Sequence, residues 1–296
     1  MSTATKVGVF LVGLGVVFAA ALGVGNAVGP VAEEPVAHDD EHGADPEGTE
    51  DHGGGHGGDA ETVSELPGGL MVSQDGYTIR LGDDAAAPGQ DVPLSFTIDG
   101  PDGHPVTAYD VEHEKQLHLI AVRRDFTGFQ HVHPELDADG VWTTDLDLTP
   151  GEWRVFADFK PTGAEALTLG TDLAVSGDYR PEPPATERRT DLVDGYTVTL
   201  EGDLTAGTDA ELTLEVVKDG RRVTTEPYLG ASGHLVALRE GDLAYLHVHP
   251  EAGSELLFYA AVPSEGRYRL FLDFQHEGVV RTAEFALTTE GGHDDH

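Results

Sequence analysis

The sequence predicts an all-β protein whose bulk is two tandem antiparallel β-sandwich domains, and three observations carry that prediction. Five landmarks recur in one order, offset by 119 residues at the first (194 − 75) and 115 at the last (266 − 151). Within each copy, short β-branched and aromatic runs are broken by turn signals every ~8–12 residues. Apart from one apolar stretch near the N-terminus, no segment shows the period of an amphipathic helix.

The repeat is explicit. Asp75-Gly76-Tyr77-Thr78 returns as Asp194-Gly195-Tyr196-Thr197, and Asp102-Gly103 before Val106-Thr107 returns as Asp219-Gly220 before Val223-Thr224. His118-Leu119 is matched by His234-Leu235, and His131-Val132-His133-Pro134 by His247-Val248-His249-Pro250. Gly151 to Phe156 with Asp158-Phe159 is matched by Gly266 to Phe271 with Asp273-Phe274. A domain-sized period means two whole domains rather than solenoid units. Strands are expected at Tyr77 to Leu81, Val92 to Ile98, Leu117 to Val122, Gln130 to His133, Thr143 to Leu148 and Trp153 to Phe159. Asp102-Gly103, Asp219-Gly220 and Glu240-Gly241 suit hairpin corners, because glycine accepts the positive φ of tight turns.

These signals divide the chain into an anchor or signal segment (1–30), an acidic stalk (31–67), a first sandwich (68–178), a proline-rich linker (179–190), a second sandwich (191–289) and a His/Asp tail (290–296). Val7 to Gly25 carries no charge and has the ~20-residue length of a membrane span. With Lys6 before it and an acidic run after it, the positive-inside rule puts the N-terminus in the cytoplasm and everything after Pro30 outside. Two readings stand: a single-pass anchor in the cell membrane, or a signal peptide cleaved near Asn26 to Gly29 that releases a secreted protein. Export holds in both.

The stalk lacks Lys, Arg and aromatic residues and cannot bury enough apolar surface to offset its ordering entropy, so it reads as disordered. His38, His42, His52 and His56 there, with His293 and His296 in the tail, either capture divalent cations loosely or belong to a solvated spacer. Lys plus Arg total 17 against 54 Asp plus Glu, a formal charge of −37, which excludes nucleic acid as a partner for want of a basic footprint. A salt-adapted surface and a cation-collecting one fit this charge equally. With no cysteine there is no disulfide, thiolate metal site or cysteine nucleophile.

The most informative pattern is a histidine, twelve intervening residues, then His-x-His, once per domain: His118, His131, His133 and His234, His247, His249. If Glu240-Gly241 were a two-residue turn, Arg239 would oppose Asp242, His234 would oppose His247, and His249 would lie one diagonal step along the same face. Opposed Cβ atoms are ~4.5–5.5 Å apart and diagonal ones ~7–8 Å, close enough for three imidazoles to share one cation. The identical spacing predicts the same arrangement in the first copy. Three neutral imidazoles suit Zn(II) or Cu(II), and with no cysteine and two methionines a soft Cu(I) site is disfavoured. Asp158 and Asp273 are candidates to hold the far ring nitrogens, or else to pair with Arg154 and Arg269. The competing reading makes all six histidines core residues bonded to main-chain carbonyls, since Ile120, Val122 and Phe129, or Val236, Leu238 and Tyr245, share their face. His104, His113 and His276 have no counterpart in the other copy and are expected at the surface.

Leu117 to Asp125 running into Gly128-Phe129-Gln130-His131-Val132-His133-Pro134 resembles a family of exported actinobacterial proteins with tandem immunoglobulin-like domains, and is more distantly similar to YtkA-like domains. The resemblance implies immunoglobulin-like sandwiches and, through the YtkA-like domains, a connection with copper. Three functions are thus expected. The first is extracytoplasmic binding or handling of Cu(II) or Zn(II), tethered to the membrane and partnered by metal-transport proteins of the envelope. The second is a structural or interaction module of the envelope with core histidines. The third, a metal-dependent enzyme, is weakest because no general acid or base is matched between the copies, and no phosphate loop, G-x-S-x-G elbow or H-E-x-x-H helix is present.

Overall fold

The computed structural model describes residues 66–246, 248–251 and 256–289, with the backbone alone at His249. The anchor or signal segment expected over 1–30, the stalk histidines His38, His42, His52 and His56, the tail histidines His293 and His296, and His247 lie outside the described residues. Among the described residues there is no helix, and hence none long and apolar enough to cross a membrane.

The first sandwich runs β1 (Ser73–Gln74), β2 (Tyr77–Leu81), β3 (Ala85–Ala86), β4 (Gly89–Asp99), β5 (Leu117–Arg123), β6 (Gln130–Val132), β7 (Glu135–Leu136), β8 (Val141–Leu148), β9 (Gly151–Phe159) and β10 (Leu167–Val175). One sheet has the order β1-β2-β4-β8-β7 and the other β3-β10-β9-β5-β6. That is the immunoglobulin arrangement, with β4 and β8 central in one layer, β9 between β10 and β5 in the other, and β3 pairing parallel to β10.

The second sandwich runs β11 (Thr190–Val193), β12 (Tyr196–Glu201), β13 (Asp209–Lys218), β14 (Arg221–Arg222), β15 (His234–Arg239), β16 (Tyr245–Leu246), β17 (Val248–Pro250), β18 (Leu257–Ala261), β19 (Arg267–His276) and β20 (Val279–Thr288). Its sheets are β11-β12-β13-β18-β17, with β14 on β13, and β16-β15-β19-β20. The all-β, two-sandwich expectation therefore holds.

Asp-Gly pairs close matching hairpins. Asp75 and Gly76 (φ 53° and 85°) join β1 to β2, Asp194 and Gly195 (48° and 81°) join β11 to β12, and Asp219 and Gly220 (52° and 71°) join β13 to β14. Two successive positive φ values make the type I′ turn whose twist matches that of the strands. Each sandwich has its own core. Phe96, Trp142, Trp153 and Leu169 centre the first, and Tyr196, Leu214, Phe258 and Phe285 the second. Leu117, Leu119 and Ala121 of β5 point into the first core, as Leu235 and Ala237 of β15 point into the second.

Candidate metal centre

Because side chains alternate along a strand, β5 turns His118, Ile120 and Val122 away from the first core, and β15 turns His234, Val236 and Leu238 away from the second. These outward faces meet. Ile120, Val122, Phe126 and Phe156 pack with Val236, Leu238, Leu243 and Phe271 in a third apolar cluster shared by both sandwiches. The contacts respect the repeat: Phe129 stacks on Phe271 at 4.0 Å between centroids, and their counterparts Tyr245 and Phe156 meet at 5.7 Å.

The histidines occupy one end of this seam. In the first copy Ile120 opposes His131 and Leu119 opposes Val132, which carries His118 to the position facing His133. Pro134 then follows His133. It lacks an amide for pairing and disfavours helical φ/ψ in the residue before it, so the extended chain leaves β5 and joins the opposite sheet as β7. One ring nitrogen each from His118, His131 and His133 lies within 4.8 Å of the others. Ring centroids are 5.3 Å apart for His118 and His131, 5.0 Å for His118 and His133, and 4.9 Å for His131 and His133.

The partners of each ring set its protonation. His118 Nε2 is 3.1 Å from the Glu112 carbonyl, which can only accept, so Nε2 carries the hydrogen. His131 Nδ1 is 2.8 Å from Asp273 Oδ2, whose other oxygen accepts from the Thr282 hydroxyl at 2.6 Å. That leaves His118 Nδ1 and His131 Nε2 facing each other at 3.1 Å. One hydrogen or one metal ion placed between these two nitrogens would satisfy both. His133 Nε2 is buried and finds no hydrogen-bond partner among the described residues. Burial, reinforced by the neighbouring imidazoles, pushes His118 and His133 down to about 3, and burial lowers His234 to about 4. Neutral rings are the form that binds metal.

A cavity of about 470 Å³ opens beside the trio, lined by His113, His118, His131, Asp158, His234 and Tyr245 among others. A family model described as Domain of unknown function (DUF8832) matches residues 72–177 and again 191–291. The chain belongs to the DUF8832 family. No curated protein matches it. Among solved structures, the Escherichia coli adhesin FdeC is 14% identical, over 74% of this chain and 65% of that one, with a TM-score of 0.24; the chain thus spans less than two thirds of the FdeC structure. A two-domain fibronectin type III segment of chicken tenascin is 9% identical, over 71% and 97%, with a TM-score of 0.23. The Ig1-2 module of the Drosophila receptor protein tyrosine phosphatase DLAR is 8% identical, over 72% and 98%, with a TM-score of 0.21.

The two DUF8832 copies depart from the sequence expectation in three ways. First, the register differs. Leu238 opposes Tyr245 and Ala237 opposes Leu246, because residues 240–243 form a four-residue connection in which Arg239 N bonds to Ala244 O. Asp242 is drawn into the turn by the Arg239 guanidinium and the Ala244 amide, so it does not oppose Arg239. The pairing expected between His234 and His247 is thereby shifted by two residues, which preserves the face. Second, the packing brings a histidine of one copy beside the trio of the other. His234 enters the cavity beside the first trio, its ring 6.1 Å from both His118 and His131, with Nε2 held by the Tyr228 carbonyl at 2.9 Å. Of its expected companions, His249 has only its backbone described, in β17 opposite Tyr259.

Third, the two aspartates differ. Asp273 supports His131, a histidine of the other DUF8832 copy, while Asp158 accepts from Thr168 at 2.9 Å. Neither forms the ion pair offered as its alternative, since Arg154 meets Asp172 and Arg269 meets Glu284. Burial pushes the Asp158 carboxyl upward. Of the unmatched histidines, His104 and His113 are exposed as expected, and His113 edges onto His234 at 5.4 Å at the cavity mouth. His276 is instead half-buried, 2.9 Å from the Tyr196 hydroxyl. The contribution of His234 and Asp273 to the first copy's histidines was hidden because nothing in a repeat says which faces dock.

Proposed function

We propose that this chain is an extracytoplasmic binding module of two joined immunoglobulin-like sandwiches, and that its ligand at the seam is a divalent transition metal, Cu(II) or Zn(II). The observation that carries the reading is the convergence of His118, His131 and His133, with His133 Nε2 buried and without a hydrogen-bond partner among the described residues. An unsatisfied buried polar atom costs about 1–3 kcal/mol, and coordination is one way to remove that penalty. Two nitrogens about 2.0–2.1 Å from one tetrahedral zinc lie about 3.3 Å apart, near the 3.1 Å between His118 Nδ1 and His131 Nε2. Their far nitrogens are held by a carbonyl and a carboxylate, the usual supports of a ligating imidazole. Export by the apolar segment Val7 to Gly25 would set the module at the membrane surface, with metal-transport proteins as partners and the stalk and tail as loose collectors.

Calorimetry on the full chain with Zn(II) and Cu(II), beside a triple variant His118→Ala, His131→Ala and His133→Ala, tests this. Loss of one equivalent of tight binding in the variant is expected; equal uptake by both proteins rejects the site.

A second reading, a structural or interaction module, is favoured by the chain Asp273···His131···His118···Glu112 O, which one shared proton completes without metal. On that reading the triple variant melts lower in the absence of metal, and an unchanged melting temperature counts against it.

A further inference from the structure

The ligands come from the first sandwich, but what orients one of them comes from the second. His131 sits on β6 and its Nδ1 bonds to Asp273 on β19, 142 residues further along. Both side chains are almost wholly enclosed, at 4% and 6% exposure, so water does not substitute easily for either partner. His234 and Tyr228, also of the second sandwich, flank the trio: Tyr228 stands 6.4 Å from His133 and 5.7 Å from His234 between ring centroids. Thr282 fixes the Asp273 carboxylate from the neighbouring strand β20. Separating the sandwiches would leave the three ligand rings on the first domain, yet strip the carboxylate from His131.

Resting on the metal reading above, we infer that the ion acts as a clasp between the two sandwiches: metal affinity depends on Asp273 being docked, and bound metal in turn holds the sandwiches together. The reciprocity is thermodynamic. If docking raises metal affinity by some factor, metal raises the docking equilibrium by the same factor. Loss of a carboxylate that orients a ligating histidine typically lowers metal affinity about 10–100-fold, which sets the size of the coupling expected here. The rest of the seam is mostly apolar and lends itself to such a switch, because Phe129 on Phe271 and Ile120, Val122, Val236 and Leu238 supply attraction without a charge pair to fix its geometry. The ligand site would then report whether the two domains are closed.

The test uses the full chain with Zn(II), comparing wild type, Asp273→Ala and Asp273→Asn. Affinity is expected to fall about 10–100-fold in D273A and less in D273N, which keeps an acceptor for the His131 N–H. Amide hydrogen exchange read at Val236, Leu238 and Tyr245 should slow on adding Zn(II) to wild type and respond less in D273A. Since the wild-type exchange measurement needs no substitution, it stands even if D273A folds poorly. Zinc binding by wild type that the histidine triple variant loses, but that D273A retains in full with no zinc effect on seam exchange, overturns the clasp and leaves the metal site standing. Absence of zinc binding by wild type overturns both.

Discussion

Phe129 of the first sandwich lies flat against Phe271 of the second, centroids 4.0 Å and planes 4° apart, and their repeat counterparts Tyr245 and Phe156 make the reciprocal contact. The duplicated domains therefore face one another in roughly mirrored roles, each offering the same outer sheet face. This relation turns a face that an isolated domain would expose into interior.

Phe271 is the strongest single test of the seam. It is fully buried in the cluster shared by the sandwiches and is not part of either sandwich's own core cluster. Phe271→Ala is expected to cost about 3–5 kcal/mol at the seam, the range for deleting a buried phenyl ring. Differential scanning calorimetry should show one cooperative transition in wild type and two in the variant; an unchanged single transition contradicts a stabilising seam.

His133 offers a test whose sign separates function from architecture. An orphaned buried nitrogen weakens the metal-free protein, so His133→Leu should be neutral or stabilising by up to about 1–3 kcal/mol without metal, and should lose the rise in melting temperature that Zn(II) gives wild type. Marked destabilisation of metal-free H133L would make His133 a structural residue.

Asp125 ties the linker to the first sandwich. Burial is the largest influence on its carboxyl and acts upward, but the Arg123 guanidinium, the Glu182 amide and the Thr127 hydroxyl and amide together hold it down, at about 2 against an ordinary 3.8. A carboxyl lowered by folding contributes stability that is present above the unfolded value and is lost as pH falls through the folded one. Urea midpoints of metal-free protein should therefore drop between about pH 4 and pH 2, and Asp125→Asn should flatten that drop. Equal acid sensitivity in both proteins would contradict the linkage.

Gly69 lies where the chain enters the first sandwich along the seam. Its amide bonds to Thr168 O, Arg154 reaches its carbonyl at 2.6 Å, and Tyr245 N bonds to Gly68 O. At φ +72° an added Cβ would come within 2.4 Å of the Phe156 ring. Gly69→Ala should destabilise by about 1–3 kcal/mol from backbone strain, with the clash against Phe156 adding to it, and should raise hydrogen exchange at the amides of position 69 and Gly170. Wild-type exchange at those amides would show that the entry segment is not held this way.

Much of this was legible in the residues. The repeat, the six strands named in the first copy and the Asp219-Gly220 corner needed only local chemistry: alternation, β-branching and glycine's freedom at positive φ. The register of the second histidine hairpin was not, because Glu240-Gly241 suits a two-residue turn while the Arg239 and Asp242 side chains clip a four-residue one, and only tertiary structure decides between them. Docking was hidden for another reason. Leu117 to Val122 is buried on both faces, which a continuous apolar run permits, but nothing in the run names what covers the second face. Asp273 suits either a support for a histidine or a partner for Arg269, and the residues alone do not choose; His131 is its partner because the two copies pack face to face.

Metal binding at the seam is tested most directly by anomalous diffraction at the zinc edge from crystals of the full chain grown with Zn(II). A peak is expected at the seam, about 2.0–2.1 Å from one nitrogen each of His118, His131 and His133, with Asp273 still bonded to the far side of His131. No zinc peak at these rings, with His131 still 3.1 Å from His118 and His133 Nε2 still unmatched, would contradict it.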